Sequence, residues 1–406
     1  MKNLLILILL LTPSLCKADY WTRKADFPGG ARLGAYSFTI GNLAYVGGGY
    51  NFDNTVTYND LWAYDPVTNS WTQKTNLPAH NKAYAGCFAI GNKGYVCSGI
   101  DSYLLGATNT LYEYDPILNI WNQKSDFPGI ARAYPTAFVI NNLGYLGIGY
   151  HYVSSEVLLN DFYSFNPTTN SWSSTAPIPS TGYEDGVAFV ISNKAYVTGL
   201  YSANKVPIDT LWQYDPVANS WAAKSNFPDT PRCDAAAFTL NGMGYFGTGD
   251  KADTGASKLC NDFWQYNPVT DIWTQKASLP STRRDETAYF TINGKGYICF
   301  GGENPNVELW EYTPDSISDV QELSIQPLQT KASPNPFSIT TTINFGKELH
   351  YAEIILTDIC GKEIATYKNI NGTEFLLHRN SLALGMYFYR LIENGLIIAK
   401  DKIVVQ

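Results

Sequence analysis

Basic side chains recur at one equivalent position along the first three quarters of this 406-residue sequence. The position lies six residues before the phenylalanine of a predicted strand, and five of its six occupants are basic. The six residues are Arg32, Lys82, Arg132, Tyr183, Arg232 and Arg284. Arginine binds carboxylate and sulfate groups through forked pairs of hydrogen bonds. If the fold gathers these positions, the pattern predicts a site for an anionic group.

A second set of polar side chains follows two residues further on, on the same face of each predicted strand. Its members are Gly34, Tyr84, Tyr134, Asp185, Asp234 and Glu286. Tyrosines stack on sugar faces and donate hydroxyl hydrogen bonds, while three consecutive repeats place a carboxylate beside the basic residue. The two sets together predict a polar funnel that binds a ligand.

A structural interpretation of the arginines competes with the ligand-binding one. Arg232 and Arg284 each precede an acid by two residues, and arginines commonly pair with acids of neighbouring repeats. For these two residues the structural interpretation is favoured. Arg32 and Arg132 have no acid so close in sequence, so both interpretations stay open for them.

Regularly spaced tryptophans define the repeats that must position these side chains. Successive tryptophans lie 49 to 52 residues apart, which indicates stacked structural repeats. They are Trp21, Trp71, Trp121, Trp172, Trp221 and Trp273. Within each repeat the apolar residues alternate with a period of two, as in a pleated strand. Asp-Pro or Asn-Pro turns precede most of the tryptophans and predict hairpins, so each repeat predicts four strands.

These repeats resemble the kelch repeat, with paired glycines after a strand, then Tyr-Asp-Pro and Thr-Asn-x-Trp motifs. The resemblance covers residues 19–315 and implies an all-β fold, a kelch β-propeller with one four-stranded blade per repeat. Six blades are expected. The last repeat supplies only three strands, up to Pro314, and the strand around Trp21 can complete it and remove an exposed edge.

Kelch geometry places two kinds of loop on one face of the propeller, namely the loop entering each innermost strand and the long loop between the second and third strands. Residues of both sets and tyrosines of the variable loops are then expected around the axial mouth. The candidate ligand-binding residues are Arg32, Lys82, Arg132, Arg232, Arg284, Tyr84, Tyr134, Asp185, Asp234, Glu286, Tyr50, Tyr150 and Tyr152. We expect them to bind an extracellular carbohydrate or protein, without a metal, a cofactor or catalysis.

Two enzyme families with kelch-type propellers offer alternatives. Relatives of galactose oxidase hold copper with a pair of histidines, and this propeller has two histidines in different repeats, which do not readily form such a site. Sialic acid mutarotases are six-bladed, and sugar-ring opening needs a general acid, a general base and an arginine for the substrate carboxylate. Glu286 or Asp234, with Arg284 or Arg32, would supply that set.

The first eighteen residues predict export. Lys2, an apolar run and small residues before Ala18 are typical of a signal peptide cleaved after Ala18. A lipoprotein anchor at Cys16 fits less well, because the bulky Leu15 lies where a small residue is expected. No later segment is apolar enough to span a membrane. The net charge of -8 and the absence of a basic run argue against nucleic acid as a partner.

The end of the sequence forms a separate predicted unit. A polar linker, residues 316–332, leads into residues 333–406, which resemble the C-terminal sorting domain of the Bacteroidetes type IX secretion system. The matching motifs lie at 333–337, 358–362, 382–387 and 400–405, in the expected order. The resemblance implies a small immunoglobulin-like β-sandwich. It also implies the type IX secretion machinery as a partner, and a location outside a Gram-negative cell or on its outer-membrane surface. The alternative is an ordinary adhesive immunoglobulin-like domain.

Cysteines are scattered rather than clustered at metal-binding spacing. Cys87 and Cys97 flank one turn, and Cys233 and Cys260 lie toward the same loop face. An oxidising destination would allow disulfides between them. For Cys299 a buried free thiol is expected.

Overall fold

The computed structural model describes residues 18–51, 56–78, 82–101, 106–152, 156–251, 258–302, 306–315, 328, 330–358, 363–380, 382–393 and 396–406. Strands and turns, but no helices, are found in these ranges. The chain divides into two compact units, Met1–Ser316 and Ile317–Gln406. No helix that could cross a membrane occurs in the described ranges. Residues 1–17 of the predicted signal peptide and most of the predicted linker lie outside them.

The strands of the first unit are short and mostly of five residues. In chain order they are β1 Tyr20–Arg23, β2 Tyr36–Ile40, β3 Leu43–Gly47, β4 Leu61–Asp65, β5 Ser70–Lys74, β6 Lys82–Ala83, β7 Gly86–Ile90, β8 Lys93–Cys97, β9 Ile100–Asp101, β10 Gly106–Ala107, β11 Leu111–Asp115, β12 Ile120–Gln123, β13 Thr136–Ile140, β14 Leu143–Gly147, β15 Tyr150–Tyr152, β16 Glu156–Leu158, β17 Phe162–Asn166, β18 Ser171–Thr175, β19 Tyr183–Glu184, β20 Val187–Ile191, β21 Lys194–Thr198, β22 Leu200–Ser202, β23 Pro207–Ile208, β24 Leu211–Asp215, β25 Ser220–Lys224, β26 Arg232–Cys233, β27 Ala236–Leu240, β28 Met243–Gly247, β29 Asp250–Lys251, β30 Phe263–Asn267, β31 Ile272–Lys276, β32 Ala288–Ile292, β33 Lys295–Cys299 and β34 Leu309–Thr313.

Six four-stranded antiparallel sheets form from these strands in the described part of the chain. Five of them pair in sequence order: β2-β3-β4-β5, β7-β8-β11-β12, β13-β14-β17-β18, β20-β21-β24-β25 and β27-β28-β30-β31. The first strands of consecutive sheets are neighbours, and β32 is adjacent to both β27 and β2, so the ring is closed. The predicted six-bladed propeller is confirmed. Shorter sheets, such as β6-β9-β10 and β19-β22-β23, form within the loops.

The sixth blade combines both ends of the first unit, in the order β1-β34-β33-β32. Trp21 lies opposite Tyr312 in the β1–β34 register. Its ring also packs edge-on against Phe263 in the preceding blade, with ring centroids 5.2 Å apart. The predicted closure of the ring by the N-terminal strand is therefore confirmed.

Neighbouring blades are joined by a repeated pair of hydrogen bonds to one residue. The indole Nε1 of Trp71 donates to the carbonyl of Ala25, and the Asn69 side chain accepts from the amide of the same Ala25. Five equivalent pairs, each a Trp with an Asn or Asp, make the same two hydrogen bonds to the backbone of another residue. These residues are Thr75, Ser125, Ala176, Ser225 and Ala277. At the closing blade, Asp19 and Trp21 make both bonds to Ala277.

Aromatic rings and glycines fit together where blades face one another. The Phe38 and Tyr45 rings stack at 5.4 Å within the first blade. A Cβ added to Gly94 of the next blade would lie 2.1 Å from the Phe38 ring, and one added to Gly144 would lie 2.3 Å from Phe88. Glycine is therefore required in the second strand, because any side chain there would occupy the space of the neighbouring ring.

The second unit is a small all-β domain. Its strands are β35 Lys331–Ser333, β36 Thr340–Thr357, β37 Glu363–His378, β38 Gly385–Glu393 and β39 Leu396–Val405. The long strand β36 pairs with β35 near its start and with β38 near its end, and β37 pairs with it through several register shifts. Such a change of neighbours along a bent strand is typical of small sandwiches. Phe337 is buried and bonds to β39.

We expect Asp19→Ala to lower the free energy of unfolding of the propeller by about 1–3 kcal/mol, because two partly buried donors lose their acceptor. These donors are the amide of Ala277 and the hydroxyl of Tyr312. Urea unfolding followed by tryptophan fluorescence measures this, since all 10 tryptophans precede residue 316. The exposed Asp126→Ala should change little. Equal stability of the two variants would contradict closure by β1.

Candidate functional site

One residue at the inner edge of each blade adopts a left-handed backbone conformation. The six residues are the second set from the sequence: Gly34, Tyr84, Tyr134, Asp185, Asp234 and Glu286, with φ between 46° and 61°. Their backbones link successive blades, as Tyr84 N donates to Gly34 O at 2.8 Å and Glu286 N donates to Asp234 O at 3.0 Å. This conformation costs roughly 1–2 kcal/mol for a residue other than glycine. The fold therefore holds five side chains at the axis against a local backbone preference.

The six residues line a pocket of about 130 Å³ at the mouth of the axial channel. A chamber of about 170 Å³ continues it and shares six lining residues with it. Small side chains such as Ala35, Ala85 and Ser37 form much of the chamber wall, and Tyr289 is its largest member. The structure thus places a half-buried polar mouth above a chamber that is lined mostly by small side chains.

Tyrosines and one carboxylate form a connected cluster on one side of the mouth. The rings of Tyr84 and Tyr134 stack with centroids 3.8 Å apart and planes 22° apart. The Tyr84 hydroxyl donates to Glu286 Oε2 at 2.7 Å. The Tyr50 hydroxyl lies 3.2 Å from the same oxygen of Glu286. It also accepts a hydrogen bond from the Tyr84 hydroxyl. Tyr150 packs against Tyr134 at 5.6 Å.

Two carboxyl groups of the mouth, those of Glu286 and Asp234, hold their protons more tightly than usual. Burial raises the pKa of Glu286 to about 7; Asp285 adds to the rise, whereas hydrogen bonds from Tyr84 and Tyr50 oppose it. Burial, followed by the charges of Glu286 and Asp285, raises the pKa of Asp234 well above its usual range. Like charges that share a buried site titrate as a pair. Near pH 7 the mouth is therefore poised between protonation states.

Asp185, Cys233 and Asp234 come together at the mouth with their potential ligand atoms within 4.8 Å of one another. The Cys233 thiol donates to Asp234 Oδ2 at 3.4 Å. Burial and the charges of Asp234 and Asp185 raise the pKa of this thiol above its usual value. Because the thiolate is the metal-binding form, this arrangement favours a neutral cysteine over a metal ligand.

The basic set lies inside the blades and does not line the mouth. Arg32, Lys82, Arg132, Arg232 and Arg284 are all buried. Each side chain donates a hydrogen bond to the backbone carbonyl of the residue sixteen positions later in the sequence. The acceptors are Gly48, Ser98, Ile148, Thr248 and Phe300. The prediction of a basic ring that grips an anionic ligand is therefore wrong, because every one of these cations is used within its own blade.

Acids of the same blade pair with the buried arginines. Arg32 and Arg132 make forked bonds to Asp60 and Asp161, with shortest distances of 2.6 and 2.5 Å. Each guanidinium also lies over a phenylalanine ring, 4.7 Å from its centroid. The expectation that acids of neighbouring blades supply the partners is wrong, because the acid precedes the third strand of the same blade.

The remaining three basic residues follow the same plan with different partners. Arg232 pairs with Asp262 at 2.7 Å and Arg284 with Glu308 at 2.9 Å. Burial lowers the pKa of Lys82 to about 8, and its ammonium bonds to the Thr108 hydroxyl at 2.5 Å. These residues fix the loop that leads into the innermost strand, and so they act on the mouth only through the backbone.

The catalytic set considered for a mutarotase is only partly assembled. Glu286 and Asp234 share the mouth, but Arg284 is fully buried and points to Glu308 and Ser281. Arg32 is equally buried. None of the described residues that line the mouth is a lysine, an arginine or a histidine. An arginine for a substrate carboxylate is thus missing from the set.

Other expected residues have separate outcomes. The side chain of Tyr152 and all of His80 lie outside the described parts of the chain. Nδ1 of His151 bonds to the carbonyl of Ala131. The described cysteines are free thiols, so the allowed disulfides are not formed, whereas the buried free thiol of Cys299 is present as expected. The described free cysteines are Cys87, Cys97, Cys233, Cys260 and Cys299.

Several lining residues were not expected from the sequence, and three of them carry a reactive or hydrogen-bonding group close to a predicted residue, namely Thr287, Tyr289 and Cys87. Thr287 and Tyr289 lie one and three residues after Glu286, and Cys87 lies three residues after Tyr84. The inward positions of the innermost strand carry mostly small residues in the other blades. Counting those positions along each repeat would have found all three.

Six four-stranded blades around a polar axial mouth define a β-propeller, and sequence comparisons agree. Residues 30–183 match the KLHDC2/KLHL20/DRC7 Kelch-repeats domain, and residues 331–406 match the secretion system C-terminal sorting domain. The chain is thus a kelch-repeat β-propeller protein with a Bacteroidetes type IX sorting domain. It is a secreted or cell-surface protein.

Structural comparison gives the same fold. A solved structure titled "Structure of YjhT" is similar with a TM-score of 0.61 and 15% sequence identity, over 71% of this chain and 95% of the other. At this identity the likeness concerns the fold alone. No curated protein sequence is significantly similar to the chain.

We expect Arg132→Met to lower the free energy of unfolding by about 3 kcal/mol, because it leaves Asp161 and the carbonyls of Ile130 and Ile148 without their donor. Arg283→Met is the matched control, since Arg283 is exposed and its replacement should lower the stability much less. Urea unfolding measured by tryptophan fluorescence compares the two. An unchanged stability for Arg132→Met would contradict the structural role assigned to this residue.

The raised pKa of Glu286 predicts a pH-dependent stability. Between about pH 5 and pH 7 the unfolded chain releases the Glu286 proton while the folded protein retains it, so stability falls as the pH rises. Glu286→Gln should remove this part of the slope, and Asp126→Asn should not. Urea unfolding at several pH values measures the difference. Parallel curves for the wild type and Glu286→Gln would contradict the assignment.

Proposed function

We propose that the propeller is a binding module that recognises an extracellular protein or carbohydrate at its axial mouth. The observation that carries the proposal is the convergence of five left-handed tyrosine, aspartate and glutamate residues on one pocket. Strained residues persist where the surrounding structure determines them, and they cluster at functional sites. The position at the propeller axis supports the same conclusion, because rigid blades hold these side chains in place.

Export supports an extracellular ligand. The sorting domain marks the protein for delivery to the cell surface or beyond, where glycans and proteins of other cells are available. We propose the type IX machinery as the partner of residues 333–406 during export. The propeller then acts after export, and its mouth is the surface that meets the ligand.

A sugar mutarotase is the weaker alternative. The paired carboxyls of Glu286 and Asp234, with raised pKa values, are suited to proton transfer. The buried Arg284 leaves no cation for the carboxylate of sialic acid. Exchange of sialic acid anomers followed by NMR distinguishes the alternatives, and acceleration by the wild type but not by Glu286→Gln would establish the enzyme.

A binding test uses the mature chain on glycan arrays and in pull-downs with extracellular proteins. We expect a retained ligand, and we expect Tyr84→Ala to weaken its binding by about tenfold, because the Tyr84–Tyr134 stack is lost. Tyr351→Ala, an exposed tyrosine of the sorting domain, is the control. Equal binding by both variants would place the ligand elsewhere, and the absence of any ligand would contradict the proposal.

A further inference from the structure

The chamber behind the axial mouth has one wall that carries hydroxyl groups. Thr287 directly precedes β32 and Tyr289 lies within it, and both residues line the mouth as well as the chamber. Thr287 is only 7% exposed, and its hydroxyl bonds to none of the described residues. Buried polar groups in folded proteins are as a rule hydrogen-bonded. The chamber therefore has hydrogen-bonding capacity for a molecule that enters it.

The polar groups of the mouth, by contrast, are already engaged with one another. The hydroxyls of Tyr84 and Tyr50 both lie within hydrogen-bonding distance of Glu286 Oε2. The Cys233 thiol donates to Asp234 Oδ2. A ligand that passes the mouth meets groups that have partners, so we look to the chamber for the bonds that select it.

The chamber is electrically neutral along its described lining. Its two titratable members are Cys87 and Tyr289. Burial raises the pKa of Cys87 to about 11, and burial followed by the charge of Cys87 raises the pKa of Tyr289 above its usual value. Moving an ion into such a space without a counter-charge costs far more than moving a hydroxyl group there. The lining therefore favours an uncharged ligand group.

Three other polar side chains of the chamber donate to carbonyls of its own lining. The Ser37 hydroxyl donates to Tyr289 O at 2.6 Å, and the Cys87 thiol donates to Ser37 O at 3.0 Å. The Thr136 hydroxyl donates to Gly186 O. Because these carbonyls already accept a bond, a carboxamide with two N–H donors fits less well than a hydroxyl, which has one donor and also accepts. The chemistry of the lining thus favours hydroxyl groups.

The size of the chamber limits the shape of the group that enters. Its volume of about 170 Å³ corresponds to about five waters at roughly 30 Å³ each, close to the six heavy atoms of a three-carbon polyol. The mouth has a volume of about 130 Å³, and sites that enclose whole small molecules have roughly 300–1,000 Å³. A slender open chain therefore fits better than a sugar ring. Ala85, Ala137 and Ala188 offer apolar contacts to its carbon atoms.

We propose that the chamber receives an uncharged open-chain polyol that forms the end of an extracellular carbohydrate. The inference rests on the proposed binding function and narrows its ligand to a carbohydrate. Thr287 and Tyr289 bond to hydroxyls of the polyol, while the alanines pack against its carbon chain. The mouth surrounds the part of the carbohydrate that leaves the chamber.

Surface plasmon resonance on the immobilised full chain tests the proposal with matched sugars. Maltotriitol ends in an open-chain polyol, maltotriose has a ring at the same place, and maltotrionic acid adds a carboxylate to the open chain. We expect maltotriitol to bind at least about tenfold more tightly than the other two. Equal or tighter binding of maltotriose or maltotrionic acid would overturn the proposal.

Two further ligands test the source of the bound group. Glycerol supplies a polyol without a carbohydrate, and a glycine–serine peptide with one central glutamine supplies a carboxamide on a polypeptide. We expect both to bind more weakly than maltotriitol. Equal affinity for glycerol would overturn the assignment to a carbohydrate, and preference for the glutamine peptide would assign the chamber to a protein ligand instead.

Variants of the chamber give an independent readout. Ala188 lines the chamber but not the mouth, so Ala188→Leu should fill the chamber and weaken maltotriitol binding by at least about tenfold. Thr287→Val removes the unpartnered hydroxyl at nearly constant shape, so it should weaken binding about fivefold without lowering stability. Ala222→Leu and Thr274→Val make the same changes at exposed positions of outer strands and should have no effect. Urea unfolding checks that each variant is folded.

The outcomes separate this inference from the proposed function. If arrays or pull-downs yield a ligand whose binding is weakened by Tyr84→Ala but not by Ala188→Leu or Thr287→Val, the polyol inference is wrong and the binding function stands. If maltotriitol binds and neither chamber variant weakens it, the inference is also wrong, because the polyol then binds elsewhere. If maltotriitol does not bind and the arrays and pull-downs are silent, both fail together.

Discussion

The structure depends on a pair of hydrogen bonds between neighbouring blades that is repeated around the ring. A tryptophan indole and an Asn or Asp side chain hold both polar groups of one residue in the preceding blade. At the closing blade these bonds come from Asp19 and Trp21, at the far end of the chain from their partner Ala277. Because the mouth is built from all six blades, its geometry exists only when this last contact is made.

Positively and negatively charged side chains occupy different places in the blades, the interior and the axial end. The arginines lie in the interior, where each carboxylate and carbonyl partner offsets the cost of burying a cation. The acids of the innermost positions lie two residues later, at the axis, and burial raises the pKa of Asp234 and Glu286 instead. Two residues of separation along an irregular segment thus decide whether a charged side chain stabilises the blade or lines the axial pocket.

Left-handed backbone at the inner ring explains this separation. A regular strand would point residues such as Arg284 and Glu286 to the same face, and the expected funnel assumed that alternation. The φ of 46° at Glu286 breaks it. The side chain of Glu286 then turns toward the axis, while Arg284 turns into the blade toward Glu308.

The sequence by itself determined the all-β fold, the six repeats, the closing strand and the sorting domain, because periodic apolar residues, turns and motifs are local signals. It also singled out the five side chains that the left-handed positions bring to the mouth, although not Thr287 or Tyr289 beside them. Only the tertiary structure decided their roles. The partner of Arg32 is Asp60, twenty-eight residues away, and the juxtaposition of Asp185 with Cys233 joins two blades. Such contacts depend on how distant segments pack, and no local pattern specifies them.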